Sequence, residues 1–194
     1  TGWGVSNWSA LRNINYFLEN APKTPVSEEV LNHYIGLARY WRAVFYLNKV
    51  QTFGDVPWYE QALNPDDSDL NKARDSREFV MGKVLEDIKF ASTNIRETKD
   101  TYSSLVNRFT ALAMKSRICL YEGTYRKYHT EIGLSDANTW LQAAADAAKE
   151  VMDSKEYELY NTGNPVSDYR TLFTSEDMAG MPKITKEVML ARTM

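Results

Sequence analysis

Apolar residues recur at helical spacing along most of this chain, and the pattern changes from one helix to the next. The first stretch begins at a cap on Asn7 or Ser9 and runs through Asn20. It carries Trp8, Leu11, Ile14 and Leu18 three or four residues apart, on one helical face. Pro22 and Pro25 end it. A second helix is predicted from Ser27 to about Phe53, with Glu28 and Glu29 in the first turn, where the helix dipole favours acids. Its apolar residues (Tyr34, Ile35, Leu37, Tyr40, Trp41, Val44, Phe45 and Leu47) lie on nearly every side. Such a helix is covered on more than one side, which suits the inner layer of a stacked array.

Residues 54–74 read as a long loop with Gly54, Pro57, Pro65 and an acidic run at Asp66, Asp67 and Asp69. A third helix is predicted from Ser76 to about Glu97. Phe79, Val84, Ile88, Ala91 and Ile95 form one stripe opposite Lys83, Glu86 and Thr93, the pattern of a surface helix with a single buried face. The fourth runs from Arg108 to about Arg126 through Leu112, Met114, Ile118 and Leu120. The fifth runs from Asn138 to Ser154 and carries Ala143, Ala144, Ala145, Ala147 and Ala148, small residues that let a neighbour approach. After Lys155 the pattern becomes irregular, with an extended segment expected over residues 187–192. The second and third helices should pair, as should the fourth and fifth. The fold class is therefore all-α, with tetratricopeptide-like stacked helix pairs and long loops. The strict tetratricopeptide consensus is not met.

Composition narrows the function. The chain has 194 residues, 43% of them hydrophobic, enough for a single helical domain over 1–194. Its formal net charge is −3 with the basic residues dispersed, which argues against nucleic acid. No apolar run is long enough to cross a bilayer. Cys119, the one cysteine, sits in the run Ile118-Cys119-Leu120-Tyr121 and reads as a small buried hydrophobe.

Catalytic patterns are scarce. His33 and His129 are the two histidines, the first on a helix surface and the second at a helix end, where a cation suits the dipole. There is no H-E-x-x-H, no G-x-S-x-G elbow and no phosphate-binding glycine loop. Asp67, Asp69, Asn71, Asp75 and Glu78 fall at calcium-loop positions, but Lys72 stands where the loop requires glycine. Asp75 as a helix cap, with Glu78 completing a capping box, accounts for part of that pattern. No metal or other cofactor is expected.

The run Leu37-Ala38-Arg39-Tyr40-Trp41-Arg42-Ala43-Val44-Phe45-Tyr46-Leu47, followed by Phe53-Gly54-Asp55-Val56-Pro57, resembles the signature of the SusD/RagB family. Four further stretches agree in order: Arg74 to Ala91, Asn107 to Gly123, Trp140 to Leu159 and Tyr169 to Arg192. The resemblance implies a non-catalytic, glycan-capturing lipoprotein on the outer face of the outer membrane. Its partner would be a SusC-like, TonB-dependent transporter that receives the oligosaccharide. Family members are longer, so the resemblance also implies an internal portion, without the signal, the lipid-bearing cysteine and the C-terminal part. The alternatives are a helical-repeat scaffold for proteins or peptides, or a SusD-like protein that takes peptides. An enzyme such as a glycoside hydrolase is a third class, which the motif search does not favour.

Sugar sites combine aromatic platforms with a few polar groups in concave positions. Trp3, in a glycine-rich start, and Trp58 with Tyr59, in the long loop, are the candidate ligand contacts. For Trp58 a second reading is packing back on the helices. Trp8, Trp41 and Trp140 follow helical spacing and read as core. Arg39, Arg42, Phe53, Gly54, Asp55 and Pro57 read as structural. Charges near a core must be paired, and Arg42 is expected to meet Asp55 or a backbone carbonyl.

Overall fold

The computed structural model describes residues 2–175 and 186–191. Among these residues six helices follow one another: α1 (Ser9–Asn20), α2 (Glu28–Phe53), α3 (Arg77–Asn94), α4 (Arg108–Tyr128), α5 (Ala137–Ser154) and α6 (Pro165–Thr174). Among the described residues no strand forms; one antiparallel bridge joins Val56 to Asp75. No helix among the described residues is long and apolar enough to cross a membrane. The chain divides into two compact units, residues 1–95 and 96–194.

In the first unit α2 packs along α3, and α1 lies against α2. Ser27 caps α2, its hydroxyl accepting the Val30 N–H at 3.4 Å. Gly54 ends the helix at φ 70°, a left-handed backbone that glycine adopts without a side-chain penalty. The core is Tyr40, Ala43, Tyr46, Leu47 and Val50 of α2 against Val80, Met81, Val84, Ile88 and Ala91 of α3. Gly36 lets the helices close: a Cβ there would stand 2.9 Å from Ile95 Cγ1.

Several expectations need correcting. Neither Asn7 nor Ser9 caps α1: Trp8 occupies the cap position without a side-chain hydrogen bond, and the Ser9 hydroxyl donates to the Ser6 carbonyl. Ser76, not Asp75, caps α3 through the Phe79 N–H. Phe79 is itself exposed rather than part of the buried stripe, whose other members are all buried. Trp41 is 47% exposed, and Tyr34, seven residues earlier, is 52% exposed. The apolar surround of α2 is thus not fully covered by α1 and α3, and Trp41 is not core.

Arg42 takes a partner that spacing did not reveal. Its guanidinium donates to both carboxylate oxygens of Asp87 on α3, at 2.6 and 2.9 Å, and to Asn15 Oδ1 at 3.2 Å. Arg39 joins the same carboxylate at 2.7 Å. Asp55 instead accepts the Arg77 N–H at 2.8 Å, at the first turn of α3.

In the second unit α4 packs along α5, so both helix pairs form as expected. Asn107 caps α4 by accepting the Thr110 N–H at 2.9 Å. Gly123 lies against Leu141, where a Cβ would meet the side chain at 2.8 Å and the backbone N at 3.0 Å. Cys119 is buried, whereas Leu120 is exposed. Arg126 donates to Glu122 at 2.9 Å and to Asp136 at 2.5 Å. His129 follows the end of α4, its ring stacked on Tyr125 and its Nδ1 2.8 Å from Glu131. The sequence pattern missed α6, whose proline at the first position suits a helix start. Residues 187–191 form no strand, and Arg192 lies outside the described residues.

Candidate functional site

A groove of about 650 Å³ opens in the first unit, between α1 and the loop that joins α2 to α3. Two of its walls come from the sequence candidates: Trp3 and Tyr59 both line it, with Trp8. Trp3 and Trp8 meet edge-to-face at 5.4 Å between centroids, and Trp8 meets Tyr59 the same way at 5.8 Å. Edge-to-face contacts lock rings in fixed orientations, which is what a stacking surface needs. Trp3 keeps 38% of its surface exposed.

The loop wall is held by hydrogen bonds from buried groups. Asn15, fully buried on α1, donates its amide to the carbonyls of Tyr59 and Gln61 at 2.9 and 3.1 Å. Its oxygen accepts from Arg42, so α1, the loop and the α2–α3 ion pair form one network. The Tyr46 hydroxyl accepts the Tyr59 N–H at 2.7 Å and donates to the Pro57 carbonyl at 3.3 Å. Burial pushes that phenol well above its ordinary pKa, so it stays protonated and keeps both bonds. Lys49, buried beneath Trp8 at 4.7 Å from its ring centre, donates to the Gly2 carbonyl and anchors the start of the chain. Burial lowers its pKa.

Trp58 sits apart from Trp3 and Tyr59 in role. It is 5% exposed, its ring lies 4.2 Å from that of Tyr46, and Arg42 stands over it at 5.1 Å. Its indole N–H donates to Glu60 at 3.0 Å and its backbone N–H to Asp75 at 2.7 Å. This is the packed-back arrangement. Trp8 is half-buried and serves as both core and groove wall, while Trp140 is buried in the second unit.

The acidic loop pattern is engaged within the protein. Asp67 accepts the Asn64 N–H at 2.5 Å, and Asp75 takes Trp58 and Lys72. Among the described residues no group of three or more potential metal ligands comes together.

Asn15, Arg12 and Arg74 are the groove residues that pattern reading missed. Asn15 occupies the apolar stripe of α1, between Leu11 and Leu18, and a polar residue there was the available signal. Arg12 and Arg74 gave none, since exposed arginines are ordinary.

A helix-pair scaffold that presents a rigid aromatic groove from its loops defines a binding architecture. Solved structures share that scaffold. A SusD-like protein of Bacteroides fragilis matches at TM-score 0.72 and 23% identity, covering 93% of this chain and 30% of that one. A laminarin-binding SusD-like protein matches at TM-score 0.64 and 21% identity, over 80% of this chain and 32% of that one. In sequence, a SusD-like protein of Formosa agariphila is 26% identical over 125 residues, 64% of this chain and 24% of the relative. Residues 1–108 match the SusD-like family described as starch-binding, associating with the outer membrane, and the chain belongs to that family. It spans about a quarter of the curated relative's length and about a third of the solved structures'.

Proposed function

We propose that this chain is part of a non-catalytic, cell-surface protein that captures oligosaccharides and hands them to a SusC-like, TonB-dependent transporter. The protein sits on the outer face of the outer membrane through a lipid anchor. The observation that carries the reading is that the family match over residues 1–108 contains every residue of the aromatic groove. A sugar's apolar face stacks on Trp3 and Tyr59, while the amides of Gln61 and Asn71 meet its hydroxyls. The buried network behind the loop keeps that surface preorganised, which reduces the entropy lost on binding.

Calorimetry of the full-length protein against a panel of soluble polysaccharides tests this. At least one glycan should bind, and Trp3→Ala should weaken it on the order of tenfold through lost stacking. The glycan should be recovered unhydrolysed after prolonged incubation, and the protein should co-purify with a TonB-dependent transporter from outer membranes. Co-purification with no glycan bound would transfer the ligand role to peptides and overturn the carbohydrate part of the reading.

A further inference from the structure

We infer that the groove selects anionic oligosaccharides, those bearing carboxylate or sulfate groups; this rests on the glycan reading above and narrows its substrate class. The residues lining the groove include Arg12, Lys72 and Arg74 and contain no aspartate or glutamate. The chain as a whole has more acidic than basic residues, 26 against 23. An acid-free, three-cation lining is therefore a local departure from the surface around it.

The three cations differ in what they already hold. Lys72 is spoken for, 2.8 Å from the Asp75 carboxylate and 2.6 Å from the Trp58 carbonyl. The other two have no carboxylate partner among the described residues. Arg12 is exposed and spends only its Nε, on the Leu63 carbonyl at 3.1 Å. That bond orients the guanidinium without neutralising it. Arg74 is exposed and stands 4.8 Å over the ring of Trp3, a contact that likewise leaves its charge uncompensated.

A planar guanidinium matches a carboxylate or sulfate with paired N–H donors, and such charge-assisted bonds are about twice as strong as neutral ones. Arg74 is positioned for this by Trp3 itself: a sugar ring resting at Trp3 brings its acidic substituent to the guanidinium already packed on the indole. A neutral sugar uses the same aromatic wall but leaves both arginine charges unanswered. Stacking therefore supplies affinity for any sugar, and the arginines supply the preference for charged ones.

The test is calorimetry of the full-length protein with matched pairs on one backbone: trigalacturonate against its methyl ester, and a sulfated carrageenan tetrasaccharide against its desulfated form. The acidic member of at least one pair should bind about tenfold more tightly than its neutral counterpart. Which pair responds identifies carboxylate or sulfate as the recognised group. The preference should shrink as salt rises and disappear in Arg12→Gln/Arg74→Gln, while binding of the neutral form is retained. Arg74→Gln alone, at an exposed side chain without a hydrogen bond, decides the matter should the double variant unfold. Equal binding of acidic and neutral members overturns the anionic preference and leaves glycan capture standing, as does a preference that survives loss of the arginines. No binding of any charged or neutral glycan overturns both.

Discussion

The two units build the same object and use it differently. Each is a long helix pair, closed by a glycine where the helices touch, with a buried arginine on a buried carboxylate, across the helices in the first unit and within α4 in the second. In the first unit the parts are Gly36 and the Arg39–Arg42–Asp87 cluster; in the second they are Gly123 and Arg126 with Glu122 and Asp136. In the first unit the buried cluster extends outward, through Asn15, into the loop that carries Tyr59 in the groove wall. The first unit's buried network thereby holds the wall of the groove, while the second unit's reaches Asp136, half-exposed just before α5.

The largest test of this contrast is charge removal at the two buried carboxylates. Among the described residues Asp87 is the sole carboxylate for both Arg39 and Arg42, and it is 1% exposed. Asp87→Asn leaves a buried guanidinium without a counter-charge and should cost about 3–5 kcal/mol. Glu122→Gln leaves Arg126 its bond to Asp136, so about 1.5–3 kcal/mol is expected. Urea melts of both variants measure this; equal losses would break the distinction. Asp87→Asn should also weaken glycan binding, since its network reaches Tyr59 and Gln61 through Asn15, and Glu122→Gln should not.

The glycines sharpen the comparison at smaller cost. At Gly123 an added Cβ meets Leu141 at two side-chain atoms and at the backbone N, 3.0 Å away, so the helices must move apart. Gly123→Ala should destabilise by about 1–3 kcal/mol. At Gly36 the one close atom is Ile95 Cγ1, beside the branch point of a buried, stiff side chain, with the next atoms at 3.5 Å or beyond. There the helix preference of alanine, worth about 1 kcal/mol over glycine, offsets part of the repacking, and Gly36→Ala should cost about 1 kcal/mol, less than Gly123→Ala. Thermal melts decide the order, and a larger loss at Gly36 would refute it.

Next comes the loop itself. Tyr46→Phe removes one hydroxyl that both accepts from Tyr59 and donates to Pro57, leaving a buried N–H unanswered. A loss of about 1–3 kcal/mol is expected. Hydrogen exchange should rise at Tyr59 while α4 and α5 keep their protection. Faster exchange in both units would show that the loop is not held locally.

How much of this was legible in the sequence follows from the range of the interactions involved. The α2 bounds, its Ser27 cap and the two helix pairings were readable because caps and 3.6-residue periodicity are local. The family was readable because its signature is one continuous run from α2 into the loop. Pairing across 45 residues was not: Asp55 and Asp87 are equally plausible partners for Arg42 until α3 is placed. Periodicity also marks Trp41 as apolar-face without saying whether anything covers that face. Trp3 and Tyr59 stood out in the sequence as loop aromatics, and both line the groove; Arg12 and Arg74 carried no such mark, because lacking a carboxylate partner has no sequence signal.

The smallest expected effect is the response of the first unit's loop to acid. Partial burial of Asp75 opposes its ionisation, but hydrogen bonds from Lys72 and the Trp58 N–H outweigh this and hold its pKa below the usual carboxylate range. Glu60 is held low chiefly by the Trp58 indole N–H, against a lesser burial penalty and with help from Lys83. A carboxylate with a depressed folded-state pKa stabilises fully above its unfolded pKa and loses that contribution as pH falls through the folded value. The loop should therefore keep its stability from neutral pH down to about pH 4 and lose part of it below. Trp58 fluorescence should report the change, since both carboxylates bond to that residue. Asp75→Asn should flatten the pH dependence below about pH 4 while lowering stability at neutral pH. An unaltered acid profile in that variant would place the loop's acid sensitivity elsewhere, with Glu60 as the next carboxylate to test.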